Sequence, residues 1–110
     1  LEQTSMIARI GGWDYDLRSK LANWTYITRT IFEVDEDFIP DPDNAISFIV
    51  DPDSRIRFLQ ALHDLLEKGI SFDLELNILT AKSVPKWVRL IGRPEYTAGE
   101  LTKIFGVIQD

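Results

Sequence analysis

The last third of the chain alternates apolar and polar residues with a period of two. In residues 71–78, four apolar side chains alternate strictly with four polar ones, which predicts a strand with one buried face. Residues 86–95 and 100–109 predict two more strands, joined by a turn at residues 96–99. Because short connections join antiparallel neighbours, these three strands are predicted to form a meander.

A hairpin is predicted near the N-terminus. Residues 13–17 alternate apolar and acidic side chains, residues 18–20 form a polar turn, and residues 21–25 have the composition of a second short strand. Each of these two strands carries one tryptophan. The hairpin therefore places two large aromatic side chains on neighbouring strands.

Three helices are predicted between the hairpin and the meander. Thr25 is placed to cap a helix over residues 26–33. The Asp-Pro-Asp units at residues 41–43 and 51–53 each predict a helix start, because proline suits the first helical position after an aspartate cap. The second unit opens the longest helix, which Gly69 ends. The apolar face of that helix is predicted to consist of Phe58, Leu59, Leu62, Leu65 and Leu66.

The order of the elements predicts an α+β fold. Helices that fall between two β segments are expected to pack on one face of a five-stranded antiparallel sheet. Residues 10–110 are expected to form this single domain. Residues 1–9, with Met6 and Ile7 as the apolar part, are expected to form a short flanking helix. Since the chain starts at Leu1, we expect it to belong to a longer protein.

Composition and charge narrow the possible chemistry. The 110 residues carry a net charge of -6, 45% hydrophobic residues and no cysteine. The lack of cysteine excludes disulfides, thiolate nucleophiles and cysteine-held metal centres. An acidic surface disfavours nucleic acid, and no apolar run approaches the roughly 20 residues that span a bilayer. We therefore expect one acidic domain with no nucleic-acid partner and no direct membrane contact.

Five short motifs occur together in an order that is typical of one known family. They are Ile10-Gly11-Gly12-Trp13-Asp14-Tyr15-Asp16, Trp24-Thr25, Asp51-Pro52-Asp53-Ser54-Arg55, Lys86-Trp87-Val88-Arg89 and Gly106-Val107-Ile108-Gln109-Asp110. With them the chain resembles the PAS domain, in particular the bacterial PAS/PAC sensory-box subtype, over nearly its whole length. Two departures concern turns, because Lys82-Ser83 and Glu33-Val34 stand where the family usually has glycine.

The resemblance implies a PAS fold and a role in signal transduction. We expect a non-catalytic sensing or relay module of a sensor histidine kinase in a two-component system, or of a diguanylate cyclase or related cyclic-di-GMP protein. Gln109 and Asp110 would pass the signal to an output helix and to an effector domain in the same chain. A cytoplasmic location is expected, with a parent that distant membrane helices can anchor. A small α+β enzyme of similar outline has no residue pattern in its favour.

Two surfaces follow from the periodicity and the family layout. A pocket between sheet and helices would make the domain a true small-molecule or cofactor sensor, whereas a filled core would leave the relay role alone. The expected pocket-lining residues are Phe32, Phe48, Leu62, His63, Leu74 and Val88. A homodimer is expected through the flanking helix and the outer sheet face, with Met6, Ile7, Trp87 and Ile91 as the contact residues.

Cofactor and metal sites have little support in the sequence. Haem-binding relatives ligate iron through a histidine on the long helix, but His63 lies nearer to Gly69 than that ligand does, so an ordinary rim histidine is expected. Residues 57–60 resemble part of a flavin-adduct motif, but Ile56 stands where a thiol is required, so no cysteinyl-flavin adduct can form. The acidic residues 33–53 lack the glycine and glutamate spacing of a calcium loop. We expect no cofactor and no metal, with haem and non-covalent flavin as the alternatives.

Overall fold

The computed structural model describes residues 9–110, so the predicted flanking helix, with Met6 and Ile7, lies outside the described residues. Five strands and three helices follow in the predicted order. The strands are β1 (Ile10–Asp16), β2 (Ala22–Trp24), β3 (Phe72–Leu79), β4 (Pro85–Thr97) and β5 (Glu100–Gln109). The helices are α1 (Tyr26–Phe32), α2 (Pro42–Ser47) and α3 (Pro52–Lys68).

The strands form one five-stranded sheet in the order β2-β1-β5-β4-β3. Every neighbouring pair is antiparallel, which confirms both the hairpin and the meander. The pairing of β1 with β5 joins the hairpin to the meander, so the first and last strands lie next to each other at the centre of the sheet. The helices lie on one face, which confirms the α+β architecture predicted from the sequence.

Strand β1 begins at Ile10, three residues earlier than the alternation of side chains predicts. Gly11 and Gly12 are both part of this strand. Gly11 is required by close packing, because a Cβ there would overlap the hydroxyl and backbone of Thr28 in α1. Thr28 is buried and donates a hydrogen bond to the carbonyl of Gly12 at 2.8 Å. This contact presses α1 onto the sheet.

The two Asp-Pro starts are confirmed in atomic detail. The Asp41 side chain accepts a hydrogen bond from the backbone of Asn44, whose own side chain accepts one from the backbone of Asp41, which makes a full capping box. Asp51 accepts one from the backbone of Ser54. Thr25 occupies the predicted N-cap position but makes no capping bond, because its hydroxyl accepts the N–H of Gly12 instead.

Helix α3 is rotated relative to the predicted apolar face. Leu59 and Leu66 are 43% and 39% exposed, so they lie at the edge of the buried stripe. The inner face contains Phe58, Ala61, Leu62 and Leu65, together with Ser54, which is fully buried at the first turn. The buried hydroxyl of Ser54 accepts a hydrogen bond from the backbone of Asn77 in β3 at 2.9 Å, and this bond fixes the rotation.

Within residues 9–110, no strand pairs with the outer edge of β3, and the helical layer supplies hydrogen-bond partners for it. In addition to the bond from Asn77 to Ser54, the Arg57 guanidinium donates to the carbonyl of Glu75 at 2.9 Å. The N–H of Leu79 donates to the carbonyl of Phe48 at 2.8 Å. These three bonds join the segment from α2 to α3 to the sheet and cap the backbone groups of the edge.

The two turns in which other residues stand at the family's glycine positions each contain a residue with a positive φ angle. Glu33 ends α1 with φ 59°, and Ser83 lies in the loop before β4 with φ 62°. Both conformations are left-handed, the region that glycine adopts most easily. The buried Thr80 joins the two turns, because its hydroxyl donates to the Glu33 carboxylate at 2.6 Å and accepts the N–H of Val84 at 3.0 Å.

Candidate functional site: the cavity between sheet and helices

A cavity of about 230 Å³ lies between the inner face of the sheet and the helices. All three helices contribute to its walls, and so do all five strands. Helix α2 is the least anchored wall, because none of its residues is buried although Pro42, Ala45 and Ile46 line the cavity. The cavity is therefore bounded by sheet residues on one side and by the loosely packed helix α2 on another.

Three of the six residues predicted for the pocket line this cavity. Phe32, Leu62 and Val88 project into it from α1, α3 and β4. Phe48 and Leu74 are partly buried and pack against the core clusters beside the cavity, without lining it.

His63 does not belong to the site. It is exposed and is absent from the cavity wall. The reason is the rotation of α3, because His63 follows Leu62 by one position, about 100° around the helix, and so faces away from the sheet.

The hairpin supplies lining residues that the pattern did not predict. Trp13 and Tyr15 of β1 and Trp24 at the end of β2 form one side of the cavity. Two small side chains explain why space remains there, since Ala22 and Ala45 both face the cavity without filling it. The sequence signal for these lining residues was the pair of tryptophans on neighbouring strands, but periodicity alone did not place them beside a cavity.

Four aromatic rings form a continuous cluster at the α1–α2 side. Trp24 stacks on Phe32 with ring centroids 4.6 Å apart, and Phe32 contacts Phe48 at 4.9 Å. Phe38 completes the group at 5.4 Å from Trp24. Such offset and tilted contacts suit the quadrupoles of the rings and keep the cluster ordered. Trp24 and Phe32 present this ordered aromatic surface to the cavity.

Several polar groups around the cavity already have partners within the protein. The indole N–H of Trp13 donates to the carbonyl of Val107 at 3.3 Å, and Thr28 donates to Gly12. The Asp41 carboxylate caps α2. Within residues 9–110, every buried side-chain nitrogen or oxygen has a hydrogen-bond partner. The cavity surface thus behaves as an apolar one.

The residues present do not fit the cofactors that some PAS relatives carry. Among residues 9–110, the cavity lining contains no histidine or methionine for haem iron, and the sequence contains no cysteine. The same lining residues include no lysine or arginine that could pair with a haem propionate or a flavin phosphate. Ile56, which stands at the adduct position, is 69% exposed on the far side of α3. We derive no chemistry through either group.

The described part of the chain contains neither a cluster of metal ligands nor a helix that could span a membrane. No three acidic or histidine side chains of residues 9–110 are grouped as metal ligands would be. None of the helices within this range is both long and apolar enough to cross a bilayer. The acidic residues between α1 and α3 act in part as helix caps, as Asp41 and Asp51 show.

The two ends of the described range, Arg9 and Asp110, meet on the central strands. The N–H of Asp110, just after β5, donates to the carbonyl of Arg9, just before β1, at 3.1 Å. The Asp110 carboxylate lies 3.2 Å from the Lys86 ammonium at the start of β4, and both side chains are partly shielded from solvent. The predicted output residues, Gln109 and Asp110, therefore lie where three strands are held together. Gln109 pairs with both Ile10 and Arg89 across the sheet.

The outer face of the sheet carries an apolar patch. Trp87 is 61% exposed and Ile91 is partly exposed. On β5, Val107 pairs with Ile91, and Phe105 pairs with Arg93 on the same face. Ile10 adds a further exposed side chain from β1. Trp87 and Ile91 thus lie on the face that was predicted for dimer contacts.

Hydrogen bonds shift the pKa values of charged side chains on the sheet. Arg89 donates two hydrogen bonds to Asp73, at 2.8 and 2.6 Å, across β3 and β4. These bonds lower the pKa of Asp73 and raise that of Arg89. In the first hairpin, the backbone N–H groups of Ser19 and Arg18 lower the pKa of Asp16. Asp73 is exposed, so its pairing with Arg89 acts at the surface, where solvent screens it.

Solved structures with this architecture are sensor domains of signalling proteins. A sensory box histidine kinase/response regulator from Burkholderia thailandensis is 25% identical, with a TM-score of 0.72 over 91% of this chain and 75% of that one. The N-terminal domain of a diguanylate cyclase with PAS/PAC sensor from Marinobacter aquaeolei is 10% identical, with a TM-score of 0.79 over 90% and 92%. A LOV protein from Rhodobacter sphaeroides is 13% identical, with a TM-score of 0.70 over 92% and 58%.

These similarities define the fold of the protein. The chain has the PAS fold, which it shares with domains of a histidine kinase/response regulator and of a diguanylate cyclase. No protein-family model matches the sequence, and no curated protein matches it. The resemblance first seen in five short motifs is thus confirmed by the three-dimensional fold.

Proposed function

We propose that the chain is a non-catalytic sensing and relay module of a multidomain bacterial signalling protein. The parent would be a sensor histidine kinase or a cyclic-di-GMP enzyme, with the effector domain in the same chain after Asp110. The names of the structural neighbours favour this parentage, since one is a histidine kinase and another a diguanylate cyclase. The proposal includes a cytoplasmic location.

The observation that carries the proposal is the junction at the centre of the sheet. Asp110 is bonded to Arg9 and paired with Lys86, so the chain leaves the domain from a point tied to β1, β4 and β5. A shift of these strands relative to one another must therefore move the segment that follows Asp110. Switching between two packings of such a device requires only a difference of a few kcal/mol, biased by a ligand or partner.

A chimeric kinase tests the relay. Residues 1–110 would replace the sensor domain of a histidine kinase whose autophosphorylation is measured. We expect Lys86→Glu, which places a negative charge against Asp110, to change autophosphorylation several-fold. The same charge change at Lys82, exposed in the loop before β4, serves as the control and should leave the activity at the wild-type level. Equal activity of both variants and the wild type would contradict the proposal.

We also propose that the module works as a homodimer through the flanking helix and the outer sheet face. The apolar patch of Trp87, Ile91, Val107 and Phe105 favours such a contact, because a solvent-exposed tryptophan on a sheet face is a common anchor of interfaces. Met6 and Ile7 are included in this proposal as contact residues from the flanking segment.

Light scattering over a concentration series tests the dimer. We expect the wild-type mass to rise toward twice 12.7 kDa, and Trp87→Glu to keep the chain monomeric. Tyr26→Glu is the matched control, because Tyr26 is 82% exposed but lies on α1, on the helical side of the sheet. A wild-type chain that stays monomeric at its highest soluble concentration would refute dimerisation through this face.

A second candidate function is favoured by the cavity. A space of about 230 Å³ with an ordered aromatic wall is more than a small packing defect, because native interiors contain few voids larger than a water molecule. The domain would then be a sensor in the strict sense, with a small molecule between sheet and helices. Ligand binding and relay are separable, and the experiments below treat them separately.

A further inference from the structure

The chemistry of the cavity specifies the class of molecule that it can take. We propose that it binds an uncharged hydrocarbon-like compound, best a flat aromatic of one or two rings. This inference rests on the second candidate function, and it deepens that function by naming the ligand class. It is argued from the size of the space, the character of its wall and the position of its loosely packed side.

The size of the cavity limits the ligand. An engineered protein cavity of about 150 Å³ lined by Leu, Ile and Phe takes up benzene, whereas pockets for drug-sized ligands span roughly 300–1,000 Å³. The volume here, about 230 Å³, lies between these two cases. In proportion to benzene, about nine non-hydrogen atoms fit without any change in the walls. Substituted benzenes and two-ring aromatics fall in this range.

The lining excludes charged ligands. The acidic side chains on the wall are those of Asp14 and Asp41, and both already accept hydrogen bonds within the protein. Thr28 and Trp13 use their donors within the protein. A carboxylate or phosphate would therefore enter the cavity without a cation. Removing a charged group from water without a partner in this way is strongly unfavourable.

The walls favour flat aromatic ligands in particular. Trp24 and Phe32, stacked at 4.6 Å, line one side, and Phe58 meets Phe72 edge-on at 6.0 Å on another. Rings in such positions offer both faces and edges to a further ring. The remaining lining residues are mainly aliphatic, so the ligand needs no hydrogen bond to be held.

Helix α2 marks the side from which a ligand would enter. Pro42, Ala45 and Ile46 touch the cavity, yet no residue of α2 is buried. Movement of this six-residue helix would widen the cavity at this side. Because the carbonyl of Phe48, directly after α2, accepts the N–H of Leu79 in β3, a ligand beneath α2 would also act on the edge of the sheet.

Binding can be measured with simple probes on the 110-residue chain. Toluene and naphthalene are the ligands, and benzoate and 2-naphthoate are the charged controls with the same rings. NMR titration of the backbone and indole N–H signals should give saturable shifts with both hydrocarbons, including the indole signal of Trp24. The carboxylates should bind about thirtyfold more weakly or worse, because burying even an uncharged polar group without a partner carries a penalty of at least about that factor.

Two variants locate the site. Ala45→Phe places a ring in the cavity from α2 and should abolish the hydrocarbon shifts, and Ile46→Trp should do the same from the neighbouring position. Ser47→Phe, on the same helix but exposed and outside the lining, is the matched control and should bind as the wild type does. The unfolding transition of each variant shows that loss of binding is not loss of fold.

The results decide between this inference and the functions proposed above. Lack of saturable binding of either hydrocarbon by the wild type, equal affinity for the carboxylates, or binding retained in both cavity variants would overturn the ligand class. The relay can survive that outcome, because the chimeric kinase tests it without a ligand. Conversely, hydrocarbon binding that leaves the activity of the chimera unchanged would support the ligand class and contradict the sensor function.

Discussion

The hydroxyl of Ser54 is predicted to be one of the most important single polar atoms for the stability of this fold. Ser54 is fully buried in the first turn of α3, and its hydroxyl accepts the N–H of Asn77 at 2.9 Å. Ser54→Ala removes the acceptor and leaves that N–H on a part-buried strand edge. An unsatisfied buried donor costs about 1–3 kcal/mol. The better helix propensity of alanine returns about 0.5 kcal/mol, so we expect a net loss of about 0.5–2.5 kcal/mol.

Urea unfolding measures this loss directly. The midpoint should fall while the slope with denaturant stays constant, because a change of one oxygen atom does not alter the surface exposed on unfolding. Hydrogen exchange at Asn77 should accelerate, which locates the effect on β3. Ser47→Ala is the control, since Ser47 is exposed and its hydroxyl bonds only within α2. A loss below about 0.5 kcal/mol in Ser54→Ala, or an equal loss in the control, would refute the reasoning.

Three further predictions concern the β4–β5 turn, the surface pair and the rotation of α3. Ala98, the first loop residue, has φ 52°, a left-handed value that asparagine tolerates better than alanine. Ala98→Asn should therefore raise the free energy of unfolding by about 0.5–1 kcal/mol and the melting temperature in calorimetry by about 2–8 °C. An unchanged melting temperature would contradict this. Because Arg89 lowers the pKa of Asp73, the pair stabilises the protein above the ordinary carboxylate pKa, and this contribution is lost as acid protonates Asp73, from about pH 4 downward. The stability difference between wild type and Asp73→Asn in urea unfolding should therefore shrink below about pH 4, and a constant difference would count against the pairing. Leu65→Ala should cost about 2–5 kcal/mol and Leu59→Ala less than about half as much, because Leu65 is fully buried and Leu59 is 43% exposed; similar losses would favour the face predicted from the leucine spacing.

The elements of this fold were predictable where one local rule was strong. Strict alternation predicted β3, and the side chains that face the helices are those of Phe72, Leu74, Leu76 and Ile78. The two Asp-Pro units predicted the starts of α2 and α3 because aspartate capping and proline at the first position act within a single turn. No distant contact was needed for these predictions.

The details of packing depended on contacts that a one-dimensional pattern does not contain. In α3 the leucines form two overlapping stripes, and the bond from Ser54 to β3 selects the one with Leu62 and Leu65. For the cavity, an inward-facing position was predictable, but a cavity exists only where a neighbour is small. Ala22 and Ala45 leave that space, and they belong to elements far apart in the sequence.

The capped edge of β3 has a consequence for how copies of this domain can meet. A bare sheet edge is a template on which a foreign strand can add, and it is a common route to fibres. Here Ser54, Arg57 and the carbonyl of Phe48 occupy backbone groups that an incoming strand would need. Side-by-side extension of the sheet past β3 is therefore blocked by the same bonds that orient α3. Modules with this protection can be strung closely along one polypeptide without their sheets merging.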